Sequence, residues 1–311
     1  MKGILSALLA ICFGAAPPAP TQDKNIPQKE LLLWQKLESS IRAEDQQVDG
    51  VLGIAIEDLS NGHTLLLNAD ETFPTASTIK IAILAELYRQ TQQGKIKLTD
   101  TYTLQQADLV GGSGISNALT AGTTKLTLRD VAALMISVSD NSMTNVLIDR
   151  VGLDNVNALL DSLNLTHTRL RRKMMDVRAA AEGRENVATP RELMLLLEAL
   201  YRGKVLNKQL TDDFFNLLGT PKSSYIPREL PEDVRIANKP GELEGVRNDC
   251  GLIFTGSRPY ILCAMSTYLR NERAAGDAIS RISGETYRVF DRLSHASNLG
   301  RVVSRRDSSA P

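Results

Sequence analysis

The chain is poor in cysteine, histidine and aromatic residues: three cysteines, three histidines and one tryptophan stand among 311 residues, and Phe, Trp and Tyr together make up 5%. Cys12 lies near the amino terminus, so only Cys250 and Cys263 belong to the body of the chain, too few for a disulfide framework. His63, His167 and His295 stand far apart, without a His-x-His-x-Asp cluster to hold a metal. Net charge is missing as well. Lys+Arg and Asp+Glu each number 36, so no broad field draws the protein to nucleic acid or to an anionic membrane. The expected partner is a small molecule or a neutral polymer.

What is present begins with an export pattern. Met1-Lys2 supplies a short positive end, residues 4–16 are apolar, and Gly14 to Ala16 offer small side chains near a cleavage point, so residues 1–20 read as a signal peptide. The run is too short for a permanent transmembrane helix, and no stable membrane insertion is expected after its removal. Ile11 is bulky for the position before a lipidated cysteine, which argues against an anchor on Cys12 and for soluble export to the periplasm or beyond. With 42% hydrophobic residues, the remainder can bury a full core as one large domain of two interleaved lobes.

The periodicities predict an α/β (α+β) architecture. An amphipathic helix over 29–42 leads into a hairpin, 50–58 and 63–68, around Ser60-Asn61-Gly62. Apolar residues at helical spacing follow over 79–88, 128–138, 143–151, 156–163, 190–201 and 210–218. Strand patterns return at 234–238, 249–254 and 260–267, and a last helix is expected over 275–293. An antiparallel sheet flanked by the terminal helices (29–72 and 232–294) then sits beside an all-helical lobe (73–231), within a catalytic domain spanning 21–296 and followed by a loose tail, 297–311. Cys250 and Cys263 fall in neighbouring strands. Opposed register would permit a disulfide and a one-residue slip would forbid it; two buried free thiols are the expectation.

Three short polar signatures mark the cleft between the lobes. Ser77-Thr78-Ile79-Lys80 opens a helix apolar enough to be central to the helical lobe, Ser139-Asp140-Asn141 follows 62 residues on, and Lys239-Pro240-Gly241 another 100 on. Each alone reads blandly, as a helix cap, a capping turn and a Pro-Gly turn respectively. Together they supply a nucleophile, Ser77, on the positive end of a helix, and a base, Lys80, whose ammonium loses its proton readily once desolvated. Ser139 can shuttle a proton between the two ammonium groups and a leaving nitrogen. Asn141 can bind a substrate carbonyl and Lys80, and Asn145, on the same helical face, braces them. Lys239 can attract a carboxylate at the end of its strand, and the N–H of Glu242, just beyond Gly241, can pair with that of Ser77 as an oxyanion donor.

The motif set resembles that of the class A serine β-lactamase and penicillin-binding protein superfamily, with similarity from about Glu30 to Leu293 that includes Gly112-Ser113-Gly114-Ile115. The resemblance implies an α/β sandwich plus helical lobe, a covalent acyl-enzyme on Ser77 and no metal or organic cofactor; a β-lactam or peptidoglycan-derived substrate and a monomer are the accompanying expectations. The chain departs from the pattern twice. Class A enzymes carry a water-directing glutamate in a loop that here runs from Thr168-Arg169-Leu170 to Thr189-Pro190, and its place falls on Lys173 or Met174. Asp176, Glu182 and Glu185 could serve only if the loop folds differently. Pro240 stands where the family has a hydroxyl that helps bind a carboxylate, with Arg247 the candidate to compensate by charge. Three functions remain open: a β-lactamase with weak deacylation, a penicillin-recognising or cell-wall-sensing binding protein, and a D,D-peptidase or esterase.

Overall fold

The computed structural model describes residues 26–297 and 299–302. The expected signal peptide lies outside them, as does most of the expected tail. Its described part turns back, with Ala296 bridging to Val302. No helix among the described residues is long and apolar enough to cross a membrane.

Helix α1 (Gln28–Asp45) precedes the hairpin β1 (Val51–Asp58) and β2 (Thr64–Leu67), then the two-residue strand β3 (Phe73–Pro74). The helical lobe holds α2 (Lys80–Gln92), the short pair β4 (Thr101–Thr103) and β5 (Lys125–Thr127), α3 (Leu128–Ser137), α4 (Asn141–Val151), α5 (Leu153–Ser162), α6 (Val177–Ala181), β6 (Val187–Ala188), α7 (Pro190–Tyr201) and α8 (Lys208–Leu218). The chain then returns through β7 (Arg235–Leu243), β8 (Val246–Phe254), β9 (Tyr260–Thr267) and α9 (Glu272–Ser294). Five strands pair antiparallel in the order β2-β1-β9-β8-β7, so both ends of the chain build one sheet.

Alternation along the strands divides the core in two. On β1, Ile54 and Ile56 face a cluster formed with Trp34, Leu37 and Ile41 of α1 and Ile279, Ile282 and Phe290 of α9. Ala55 between them faces the helical lobe, as do Cys263 and Met265 on β9. A sheet buried on both faces needs such period-two apolar positions on every strand. Helix α2 runs through the centre of the helical lobe, and every residue from Lys80 to Tyr88 is buried. Such a helix draws its stability from packing on all sides rather than from one amphipathic stripe.

Two expectations need correction. Lys239-Pro240-Gly241 does not end its strand: β7 continues to Leu243 and turns at Gly245, whose φ of 68° suits glycine. β7 is the edge strand, so one row of its backbone groups has no ladder partner and proline's missing N–H can fall there without breaking a sheet bond. Cys250 and Cys263 are not free thiols; the register sets them directly opposite on β8 and β9, and they form a disulfide.

Candidate active site

Ser77 lies in a single 3-10 turn, Ala76–Ile79, that runs straight into α2. The turn is held from the sheet side. Asn248 of β8 donates to the carbonyls of Pro74 (2.9 Å) and Thr75 (3.1 Å), and Thr75 N–H donates to Asn186 O at 2.9 Å. Gly241 crosses so closely that a Cβ there would stand 2.6 Å from Thr75 O and 3.0 Å from Ser77 N. Glycine is required at this crossing, and it brings the edge of β7 against the backbone N–H of Ser77.

Ser139 is the hub. Its hydroxyl donates to Ser77 Oγ at 2.9 Å and accepts from Lys80 Nζ at 3.0 Å and Lys239 Nζ at 3.1 Å. Lys80 also donates to Ser139 O (2.7 Å) and Asn141 Oδ1 (3.2 Å), and Lys239 to Pro240 O (3.1 Å). The hydrogen bonds of Lys80 thus run to Ser139 and Asn141, and the connection to Ser77 passes through Ser139. Ser139 holds this place with a φ of 56°, in the left-handed region. Asp140 behind it, fully buried, caps α4 through Met143 N–H and accepts from Ile115 N–H, Ser116 N–H and Ser116 Oγ, which ties the glycine-rich loop to the site.

Burial governs the electrostatics. Lys80 is 0% exposed, and desolvation first, then the charge of Lys239, hold its pKa well below that of an ordinary lysine, with Asp140 opposing. Lys239 is 1% exposed and is pulled down to about 7 by desolvation and by the neighbouring Lys222, against Asp249 and Glu242. Lys239 can therefore exchange a proton near neutral pH, and Lys80 gives up its proton far more readily than an exposed lysine does.

Ser77, Ser139, Lys239, Pro240 and Glu242 share a cleft of about 360 Å³. Its other walls come from Ser113, Ser137, Val138, Lys222 and Ser223. Asn141 stands behind Lys80. Asn145 is turned to the loop, where its side chain donates to Met174 O and accepts from Met174 N–H. Arg247 is not brought to the cleft: its guanidinium donates to Leu243 O and Val246 O and pairs with Glu272. Sequence reasoning missed Asn248 and Lys222, since an asparagine inside a strand pattern and a lysine in a loop carry no signal without the fold.

In the loop from Thr168 to Thr189 the two candidate positions face opposite ways. Lys173 points outward to Asp149, whereas Met174 is 8% exposed and packs into the core of the helical lobe. The three carboxylates that could have substituted are engaged: Asp176 caps α6, Glu182 pairs with Arg178 and Arg184, and Glu185 with Arg172.

A serine and two desolvated lysines arranged around a second serine, between an antiparallel sheet and a helical lobe, define an active-site serine hydrolase of the class A type. The model of the β-lactamase enzyme family matches residues 35–290. β-Lactamase SME-1 of Serratia marcescens is 26% identical over 234 residues, covering 73% of this chain and 79% of that protein. A β-lactamase structure from Sphaerobacter thermophilus superposes with a TM-score of 0.77 at 34% identity, over 83% of this chain and 97% of that one. An ancestral class A β-lactamase gives 0.76 at 26%, over 82% and 100%. The chain belongs to the β-lactamase enzyme family.

Proposed function

We propose that the protein takes the acyl group of a β-lactam, or of a related peptidoglycan-derived compound, onto Ser77 and releases it slowly. In this reading neutral Lys80 receives the Ser77 proton by way of Ser139 while Ser77 Oγ bonds to the carbonyl carbon. The C–N bond then breaks, and Ser139 returns a proton to the leaving nitrogen, with Lys239 supporting its charge. The N–H groups of Ser77 and Glu242 receive the oxyanion. Asn141 and Asn145 hold Lys80 and the loop in place.

The observation that carries the slow-release part is Met174. Met174, aligned with the family's glutamate, is buried with its backbone held by Asn145 and brings no carboxylate, which supports a reading in which the acylating residues are in place and the hydrolytic base is missing. The same observation favours a penicillin-recognising binding protein as the second reading, and a D,D-peptidase or esterase would use the same acylating residues. An exported, monomeric working form is part of the proposal. Incubation with a fluorescent penicillin and, separately, with nitrocefin tests it: covalent labelling with little nitrocefin turnover is expected. Rapid nitrocefin turnover would overturn slow release, and absence of any label would overturn acylation itself.

A further inference from the structure

Strand β1 carries a carboxylate where its alternation calls for an apolar residue. Ala55 and Leu59, two residues to either side, belong to the core of the helical lobe, and Glu57 between them is 4% exposed. Its cross-strand neighbours, Thr64 of β2 and Ile261 of β9, bring no charge. Asp58, next along the strand, turns to the other face and pairs with Arg258.

The charged groups that face Glu57 come from α7 and the turn after it. Arg202 donates to Glu57 Oε1 through Nη2 at 3.3 Å and to Glu198 Oε1 through Nε at 2.6 Å, so its closer bond goes to the competing carboxylate. Lys204, on the solvent side, stands 3.5 Å from Glu198. Glu57 Oε2 is buried without a hydrogen-bond partner among the described residues. Two carboxylates thus share one guanidinium, and the more buried of them holds the longer bond and an orphaned oxygen. An ionised carboxyl in this place is costly, because its second oxygen has lost water and gained no donor, whereas a protonated one has no net charge to desolvate. Burial first, then the charge of Glu198, accordingly raise Glu57 from an ordinary 4.5 to about 7, against Arg202 and Lys204.

We propose that Glu57 is a proton switch in the joint between the sheet and α7, seated when protonated and poorly held when ionised. The joint lies at the far end of the helix that leaves the active-site loop. Helix α7 starts at Pro190, and Asn186, four residues earlier, accepts from Thr75 N–H beside the Ser77 turn. A looser seat for the C-terminal end of α7 therefore bears on the segment that backs Ser77. Between about pH 4.5 and 7 the native state holds more protons here than the unfolded chain, so this residue makes stability fall as pH rises through that window and stay flat above it. The switch is independent of the acyl-enzyme reading.

Urea unfolding of wild type, Glu57→Gln and Glu198→Gln, in mildly acidic and mildly alkaline buffer, tests the switch. Relative to Glu57→Gln, the wild-type folding constant should fall about tenfold to a hundredfold from about pH 5 to about pH 8, with Lys239 cancelling because both proteins carry it. Glu198→Gln, which removes the like charge and keeps Glu57, should reduce that fall. Over the same interval, amide hydrogen exchange of the wild type should lose more protection in α7 than in α9, and Glu57→Gln should abolish the difference. Parallel pH curves for wild type and Glu57→Gln overturn the proposal, as does a wild type more stable than Glu57→Gln on the alkaline side. Equal changes in α7 and α9 of the wild type overturn it without recourse to any variant.

Discussion

Asn145 grips the backbone of Met174 from both sides, donating from Nδ2 to its carbonyl at 3.1 Å and accepting at Oδ1 from its N–H at 2.8 Å. This clamp fixes which loop residue faces the interior, and it separates Met174 from its outward-pointing neighbour Lys173.

A carboxylate at position 174 should therefore restore hydrolysis where one at position 173 cannot. Met174→Glu is expected to speed decay of a penicillin adduct by about a hundredfold, within the usual range for a positioned base, while Lys173→Glu changes it little. The decay of the adduct mass after removal of excess drug reads this directly. Equal effects of the two changes would show that the loop is not held as the clamp implies.

Removal of the nucleophile is the simplest check. Ser77→Ala should abolish covalent labelling and keep the fold, because the change deletes one partly exposed hydroxyl. An adduct on the variant, seen by intact mass, would reassign the nucleophile.

Lys80 and Ser139 are joined by a 3.0 Å hydrogen bond, and in the proposed mechanism they share one proton path, so their losses should not add. Each change to alanine is expected to slow acylation by at least about a hundredfold, and the double variant to cost little more than the worse single one. Additive losses in log rate would place the two residues in separate steps.

The depressed pKa of Lys239 has a consequence for stability. In the native state its proton leaves near pH 7, while in the unfolded chain it stays until about 10.5. Between those values the unfolded state binds more protons, so this residue makes stability rise with pH; below pH 7 its contribution is flat and at its lowest. Relative to Lys239→Met, the wild type should gain about 1–2 kcal/mol between pH 7 and 8.5, measured by urea unfolding. Parallel pH curves for the two proteins would contradict the shift.

The disulfide joins β8 to β9 between cysteines 13 positions apart in the sequence and is fully buried. Replacing both cysteines with alanine should cost about 2–3 kcal/mol and leave acylation nearly unchanged. Native protein should also resist alkylation in mild reductant, and full labelling of both thiols without unfolding would refute the pairing.

The lobes, the helix order and the three motifs were legible because they rest on periodicity and local spacing. Helix 190–201 was read to the residue, since Pro190 marks its first turn and Thr189 caps it. The extent of β7 was not legible, because Pro240-Gly241 reads as a turn unless the strand is known to be an edge. Strands β4 and β5 hold three residues each, too few for alternation to show. The pairing of Cys250 with Cys263 depended on a one-residue register that neither segment encodes alone. Arg247 failed as a cleft cation for the same reason: only the fold reveals Glu272 beside it.

Ala76, with a φ of 47°, and Ser139, at 56°, are non-glycine residues in left-handed backbone, one beside the nucleophile and one at the hub. Each such residue costs about 1–2 kcal/mol that the packed lobes must absorb. Ala76→Gly should consequently make the protein harder to melt while letting Ser77 wander. The catalytic corner is thus a loaded spring, and the rigidity of the sheet and of α2 is what keeps it wound.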